Sequence, residues 1–583
     1  MPQCLGGLKR VVGTPHIFSL VTGHWPLATG FLRLALSVLV LQSPALATTF
    51  FVSPSGDDSN PGTEAKPWRT LRRVNQARLS AGDQVLFEGG RTFDGNLTVG
   101  EHSNSNPDKP IVMGSYGQGR ATIRAGQGTG ILVQNVGGVI VRALELVGDG
   151  LSSNQGFGVE IVNQRGAQRL DRVWLESLEA SGFRWAGIYV GGVPDLPGLG
   201  PSTEPSRPGR YGFRNVKISR CVAHDNMYYG IYVSGPWTRH SSGYANENVS
   251  ITDCIARDNP GDPTYKKNHS GNGILLDDTD RGLIEHSTAY QNGAANGSLE
   301  GGPVGIWADE SNSVTIQFCE SYDNRTGGLA DGGGFDLDGG VTNSIVQYNY
   351  SHGNDGAGYL VWNYGGAVHP LDHNVIRYNI SVNDGRKHHY GGVFIGTSGG
   401  PLHGVEVYNN TVFMTSSQTA QPVVVWAGGG EPNTGIHFRN NLLISDADVP
   451  LVEVAPNQPD VLFLGNAYWA RRGRFAVAWR GKTYDDLGAW QAASGQERLR
   501  GASTGRVIES GVSAVGASET MAGKKSLSEL TSYRLLPGSP LIDAGLDLPA
   551  EFGLDVGTQD FWGTPIPQGE RFDIGACEFG AGR

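Results

Sequence analysis

Cysteine is scarce in this chain, with five in 583 residues, one of them at position 4. So few thiols cannot build a disulfide framework, and the core has to hold by packing. Charge is sparse too, at 17% of residues, and it leans acidic, with 45 Lys and Arg against 56 Asp and Glu. The lack of a cationic excess argues against nucleic acid as a partner, because phosphate binding is driven by Lys and Arg. There is no run of 18 or more uncharged apolar residues, hence no expected membrane span. What abounds is glycine, 87 residues, in a chain that is 38% hydrophobic, a composition for a folded protein with many turns.

The N-terminus reads as an export signal. Arg33 precedes "LALSVLVLQSPALA", an apolar stretch ending in the small-x-small Ala45-Leu46-Ala47. Cleavage is expected after Ala47, so residues 1–47 are a signal peptide and the protein is secreted, extracellular or periplasmic. Their removal takes Lys9, Arg10 and Arg33 and no acid, leaving 42 basic against 56 acidic side chains, a net charge of −14.

The middle of the chain repeats. "NVKISRCVAHDN" from Asn215, "NVSITDCIARDN" from Asn248, "RGLIEHSTAYQN" from Arg281 and "SVTIQFCESYDN" from Ser313 align without gaps. So do "NSIVQYNYSHGN" from Asn343, "HNVIRYNISVND" from His373, "GVEVYNNTVFMT" from Gly404 and "GIHFRNNLLISD" from Gly435. Their starts are 33, 33, 32, 30, 30, 31 and 31 residues apart. Each copy alternates as a strand, with an inward aliphatic or aromatic at the fourth position (Ile218, Ile251, Ile284, Ile316, Val346, Ile376, Val407, Phe438), and runs to an Asn or Asp suited to a turn. A second strand follows, opened by glycine, as in "GIYV", "GILLDD", "GIWADE" and "GFDLDG". Short strands and turns at a period near 30 cannot close a core alone, but stacked coils bury one continuously. The expected fold is all-β, a parallel β-helix running from about residue 90 to 455. The seventh position holds Cys221, Cys254, Ser287 and Cys319, then Asn349, Asn379, Asn410 and Asn441, which predicts an internal asparagine ladder with the cysteines as small fillers.

The flanks read as caps, with an N-terminal helix predicted over 68–79 and a short one at "YDDLGAWQAA". The predicted layout is a β-helix with its N-terminal cap over 48–454, regular repeats at 215–446, and an irregular C-terminal region over 455–583. With "FFVSPSGDDSNPGTEAKPWRTL", "AGDQVLFEGGRTF" and the closing "GSPLIDAG" and "DIGACEF", the mature chain resembles secreted right-handed parallel β-helix proteins of the pectate-lyase-like superfamily. That resemblance implies a right-handed coil and leaves activity open among lyases, glycoside hydrolases, epimerases and non-enzymatic adhesins.

The second strands carry the chemistry. Alternation turns Ser234, Asp277, Asp309, Asp338, Trp362 and Gly396 outward at one stacked position, with Asp336 on the same face beside Trp307. Like charges about 4.8 Å apart raise one another's pKa, so Asp277, Asp309, Asp336 and Asp338 are the expected catalytic acids. Tyr232, Trp307, Trp362 and Trp426 on neighbouring coils are candidate sugar platforms. Loops supply Lys267 and His269, and Arg386, Lys387 and His388, as further candidate substrate contacts.

Three functions fit these residues. As a glycoside hydrolase, the protein needs no cofactor: one carboxyl protonates the leaving oxygen and another activates water or attacks the sugar, at carboxyl separations of about 5–5.5 Å for retention or about 6.5–9.5 Å for inversion. As a polysaccharide lyase, Asp278 and Glu310 join the acid cluster in holding Ca²⁺ against a uronate while a basic loop residue takes the C5 proton. As a non-enzymatic β-helix, it only binds glycan. Aromatic rather than basic residues beside the acids favour hydrolysis. The expected partner is a polysaccharide or oligosaccharide, met by a monomer.

Overall fold

The structure is a computed structural model that describes residues 47–193, 211–236, 243–415, 420–428, 432–517, 519 and 526–580. The predicted leader lies outside these residues except for Ala47.

Each coil gives one strand to each of three sheets, every sheet fourteen strands long and parallel through the repeats. The coil that opens at Phe213 shows the pattern, with Phe213–Ser219 in the first sheet, Val222–His224 in the third and Tyr229–Ser234 in the second. The sequence predicts two strands per coil, and the structure has three. The extra corner falls at the sixth repeat position, where Arg220, Asp253, His286, Phe318, Tyr348, Tyr378, Asn409 and Asn440 all adopt φ between +49° and +57°. Left-handed backbone breaks one alternating run into two strands there.

The fourth-position residues are buried and stack from coil to coil, Ile218 on Ile251 on Ile284 on Ile316. Each such side chain contributes about 1.5–3 kcal/mol of burial, and the cluster they join extends from Val52 to Trp490. Beside it the predicted ladder forms. The side-chain amide of Asn349 donates to Asn379 at 3.1 Å, Asn379 to Asn410 at 3.0 Å, and Asn410 to Asn441 at 3.0 Å. It continues one rung further, through Asn466, and stops on the buried Glu497 carboxyl at 2.7 Å. A second ladder at the twelfth repeat position runs Asn259, Asn292, Asn324, Asn354 and likewise stops on a buried acid, Asp384, at 2.8 Å. Cys221, Cys254 and Cys319 are buried free thiols at the start of the first ladder.

The N-terminal helix is shorter than 68–79, spanning Leu71–Asn75. Asp58 accepts the N–H groups of Arg69 and Thr70 at 2.9 Å each and holds the residues before the helix extended, while Thr70 caps it. At the other end, strands Val461–Leu464, Ala467–Ala470 and Val477–Trp479 carry the coil past 454. The helix Leu487–Ser494 then sets the buried Trp490 against Phe463 and Trp479. The final segment packs alongside the coils, on Ile380, Phe413, Leu442 and Ile444.

Candidate active site

The second sheet carries the site. Its relevant strands are β1 (Ala186–Gly191), β2 (Tyr229–Ser234), β3 (Asn272–Asp277), β4 (Val304–Asp309), β5 (Gly333–Leu337), β6 (Tyr359–Asn363), β7 (Val393–Thr397) and β8 (Val423–Ala427). Alternation sends Ile231, Ile274, Ile306 and Phe335 into the core and two columns of side chains outward. One outward column reads Tyr189, Tyr232, Leu275, Trp307, Asp336, Leu360, Phe394. In the other, Asp277 pairs in register with Asp309, and Asp338, whose N–H bonds the Ala308 carbonyl at 2.9 Å, comes next. Trp362, Gly396 and Trp426 continue that column.

Outward does not mean exposed here. Asp277 is 0% exposed, Asp309 3% and Asp336 2%. Tyr232 and Trp307 face outward as alternation requires but lie in a covered aromatic cluster with Tyr189, Tyr228, Tyr229 and Trp185, so the wide-open platform expected of these two is not present. Two members of the acid cluster stay partly open to solvent. They are Asp338 and Asp331, the latter a residue that sequence reasoning passed over.

The glycines in "GGGFDLDGG" explain how the cover is built. A Cβ on Gly339 would sit 2.4 Å from the Tyr364 ring, and one on Gly340, at φ +72°, would sit 2.2 Å from a Glu310 oxygen. These two positions make room for a loop that folds back over the acids. Tyr364 donates its hydroxyl to Asp309 at 3.1 Å and to Glu310 at 3.4 Å. Glu310 holds the loop down, accepting from the N–H groups of Val368 and His369 and pairing with His369 Nδ1 at 2.9 Å. Asp331 is held by the Tyr390 hydroxyl at 2.7 Å and the Gly302 N–H at 2.6 Å.

Burial raises four of these acids, Asp309, Asp331, Asp336 and Asp338. Desolvation, with the charges of Asp338, Asp277 and Glu310, holds Asp309 well above the usual carboxylate range. Desolvation and then Asp338 and Asp331 do the same to Asp336. Asp338 is pushed up to about 8 by desolvation, with Asp331 and Glu310 adding to it against a lowering bond from the Gly339 N–H. Asp331 is raised by its own burial. Groups so coupled titrate together, and the cluster keeps protons at neutral pH. Beside it, the Trp307 indole N–H and one Asp336 oxygen are buried without a protein partner among the described residues.

The family described as "Right handed beta helix region" matches residues 210–372. This chain is a right-handed parallel β-helix. A curated relative of this right-handed β-helix is a lacto-N-biosidase of Bifidobacterium longum subsp. longum, 26% identical over 620 residues covering 91% of this chain and 36% of the relative. The chain thus spans about a third of that relative's length. Among solved structures, GH136 lacto-N-biosidase from Eubacterium ramulus is similar at 19% identity with a TM-score of 0.47, covering 74% of this chain and 68% of that one. The pectate lyase Pel9A is similar at 14% identity with a TM-score of 0.38, covering 91% and 96%.

The remaining expected contacts are distributed around this β-helix. Trp362 is half-buried and Trp426 is 40% exposed, their rings stacked at 5.8 Å. His269 stands edge-on to Trp307 at 5.0 Å, and burial pushes its imidazole down to about 4. Lys267 and His388 are exposed. Arg386 donates to the Gly353 carbonyl at 3.3 Å, while Lys387 is committed to Asp355 at 2.8 Å and the Thr326 carbonyl at 3.0 Å. Asp278, suggested as a metal ligand, accepts the Ala245 N–H at 2.9 Å from a left-handed corner, and Glu310 is committed to the covering loop. Among the described residues no three His, Cys, Asp or Glu side chains converge to hold a cation. No helix among them is long and apolar enough to cross a membrane.

Proposed function

We propose that this protein is a secreted glycoside hydrolase that cleaves an oligosaccharide or polysaccharide, with Asp331 and Asp338 as the reacting carboxyls. One observation carries the reading: of the carboxyls gathered on this face, Asp331 and Asp338 alone are partly open to solvent, while Asp277, Asp309 and Asp336 are sealed beneath them. A carboxyl that protonates a glycosidic oxygen or meets an anomeric carbon has to reach the substrate. The sealed acids act behind the reacting pair. Asp338, pushed up to about 8, keeps its proton near neutrality and provides the donor, while Asp331, whose rise the Tyr390 hydroxyl and the Gly302 N–H oppose, provides the nucleophile or base. The lacto-N-biosidase relative supports glycan cleavage.

Elimination fits less well. The carboxyls of Asp278 and Glu310 are already engaged by backbone N–H groups, and Lys387 is paired with Asp355. A binding-only surface needs no stack of mutually raised acids.

The test is a glycan panel read for reducing ends and for the ultraviolet absorbance of unsaturated products together. Reducing ends without absorbance, lost in Asp331→Asn and Asp338→Asn, are expected. Absorbing products in the wild type would establish elimination instead. N-terminal sequencing of exported protein, expected to begin at or near Thr48, checks the secretion.

A further inference from the structure

The column that holds the acids does not end at Asp338. Register places Trp362 on the next coil, then Gly396, then Trp426. At about 4.8 Å per coil, Trp426 stands roughly 14 Å from Asp338 along the sheet. The two tryptophans are two coils apart, yet their rings stack at 5.8 Å and 11°. Gly396 permits this, because a Cβ there would lie 2.8 Å from the Trp362 ring, and Gly428 gives way similarly beneath Trp426, with a Cβ 2.3 Å from its ring. Any side chain at position 396 would wedge the pair apart.

The two ends of the column differ. Toward Ser234 it is sealed, with Ser234 and Asp277 fully buried and joined by a 2.6 Å hydrogen bond. Toward Trp426 it opens to solvent. What sets the exposed Trp426 apart is its place, stacked on the half-buried Trp362 at the open end of the acid column. Carbohydrate rings have an apolar face that packs on an indole and a polar rim that stays in water.

Building on the hydrolase reading, we infer that Trp362 and Trp426 form an extended binding platform for a neutral glycan chain, which leaves the reacting pair in one direction only, toward Trp426. Roughly 14 Å from Asp338, Trp426 lies more than one sugar ring beyond the bond that is cut. It therefore selects chain length, and the preferred substrate is an oligosaccharide or polysaccharide that continues past the scissile bond.

Two measurements separate this inference from the catalytic reading. In the first, kcat/KM is measured for wild type, Trp426→Ala and Trp426→Phe on a length series of the glycan that is cleaved. Loss of one aromatic contact is expected to lower kcat/KM roughly three- to tenfold on the long members and by a smaller factor on the short ones, mostly through KM. Trp426→Phe should recover part of the loss. In the second, affinity electrophoresis through gels containing each polysaccharide compares wild type, Trp426→Ala and Asp338→Asn. Retardation that survives Asp338→Asn and weakens in Trp426→Ala is expected. If no glycan is cleaved but that retardation pattern is seen, the platform stands and the hydrolase reading falls. A loss in Trp426→Ala that is equal at every length, or absent at every length, overturns the platform. So does wild-type protein that is retarded by no glycan.

Discussion

Tyr364 donates its hydroxyl to Asp309 across 3.1 Å, from a loop 55 residues further along the chain. Its ring rests on Gly339, and its hydrogen bond opposes the rise that burial and the neighbouring acids impose on Asp309. Tyr364→Phe keeps the ring and removes that donor. The expected outcome is a kcat lower by about tenfold, the scale of one hydrogen bond, together with a shifted pH–rate profile. An unchanged profile would mean that Tyr364 only covers the acids.

Asp331→Asn and Asp338→Asn are each expected to lower activity by at least about a hundredfold, the contribution typical of general acid–base groups. The folded protein should survive both changes. Asp338 has a folded-state pKa of about 8, above its ordinary value of 3.8, so its contribution to stability is present below pH 4 and is lost as pH rises through 8. Melting curves across that range should therefore fall less steeply for Asp338→Asn than for wild type.

Glu497 offers a pH test away from the site. Burial pushes it up to about 7 from 4.5, although Tyr468, Asn466 and backbone N–H groups all favour its ionised form. The folded state thus binds its proton more tightly than the unfolded chain. Stability from this group is complete below about pH 4.5 and lost as pH rises through about 7. Glu497→Gln should flatten that part of the melting-temperature profile.

Asn379→Ala removes a middle rung. Asn379 accepts from both the backbone and the side chain of Asn349 and donates to Asn410 and to the Val346 carbonyl. Stranding several buried partners, at about 1–3 kcal/mol each, should lower the denaturation midpoint far more than Asn383→Ala does at a turn on the same coil. Equal midpoints would show that the ladder carries little of the stability.

The coil was legible because its period is written in residues whose roles depend on position, above all the inward aliphatics and the ladder asparagines. The third strand was not, because half of the eight corners that create it are occupied by Arg220, Phe318, Tyr348 and Tyr378, residues with no turn preference, the three aromatic ones stacked on one another. The acid column followed from alternation alone. Its cover did not, since Tyr364 and His369 lie in "NYGGAVHP", a stretch without period whose only signal is its length between strands. Asp331 was missed for a similar reason, sitting just ahead of three glycines at φ +50°, where an aspartate reads as a turn former.

Every amide in the two asparagine ladders points the same way, its N–H toward the next coil and its oxygen toward the previous one. Their dipoles therefore add, as peptide dipoles do along a helix, and each ladder has a positive end on its C-terminal side. Glu497 and Asp384 occupy those ends. A carboxylate has no N–H to pass on, so each ladder is terminated by the group that best matches its polarity, and the stack of coils carries a built-in direction through its interior.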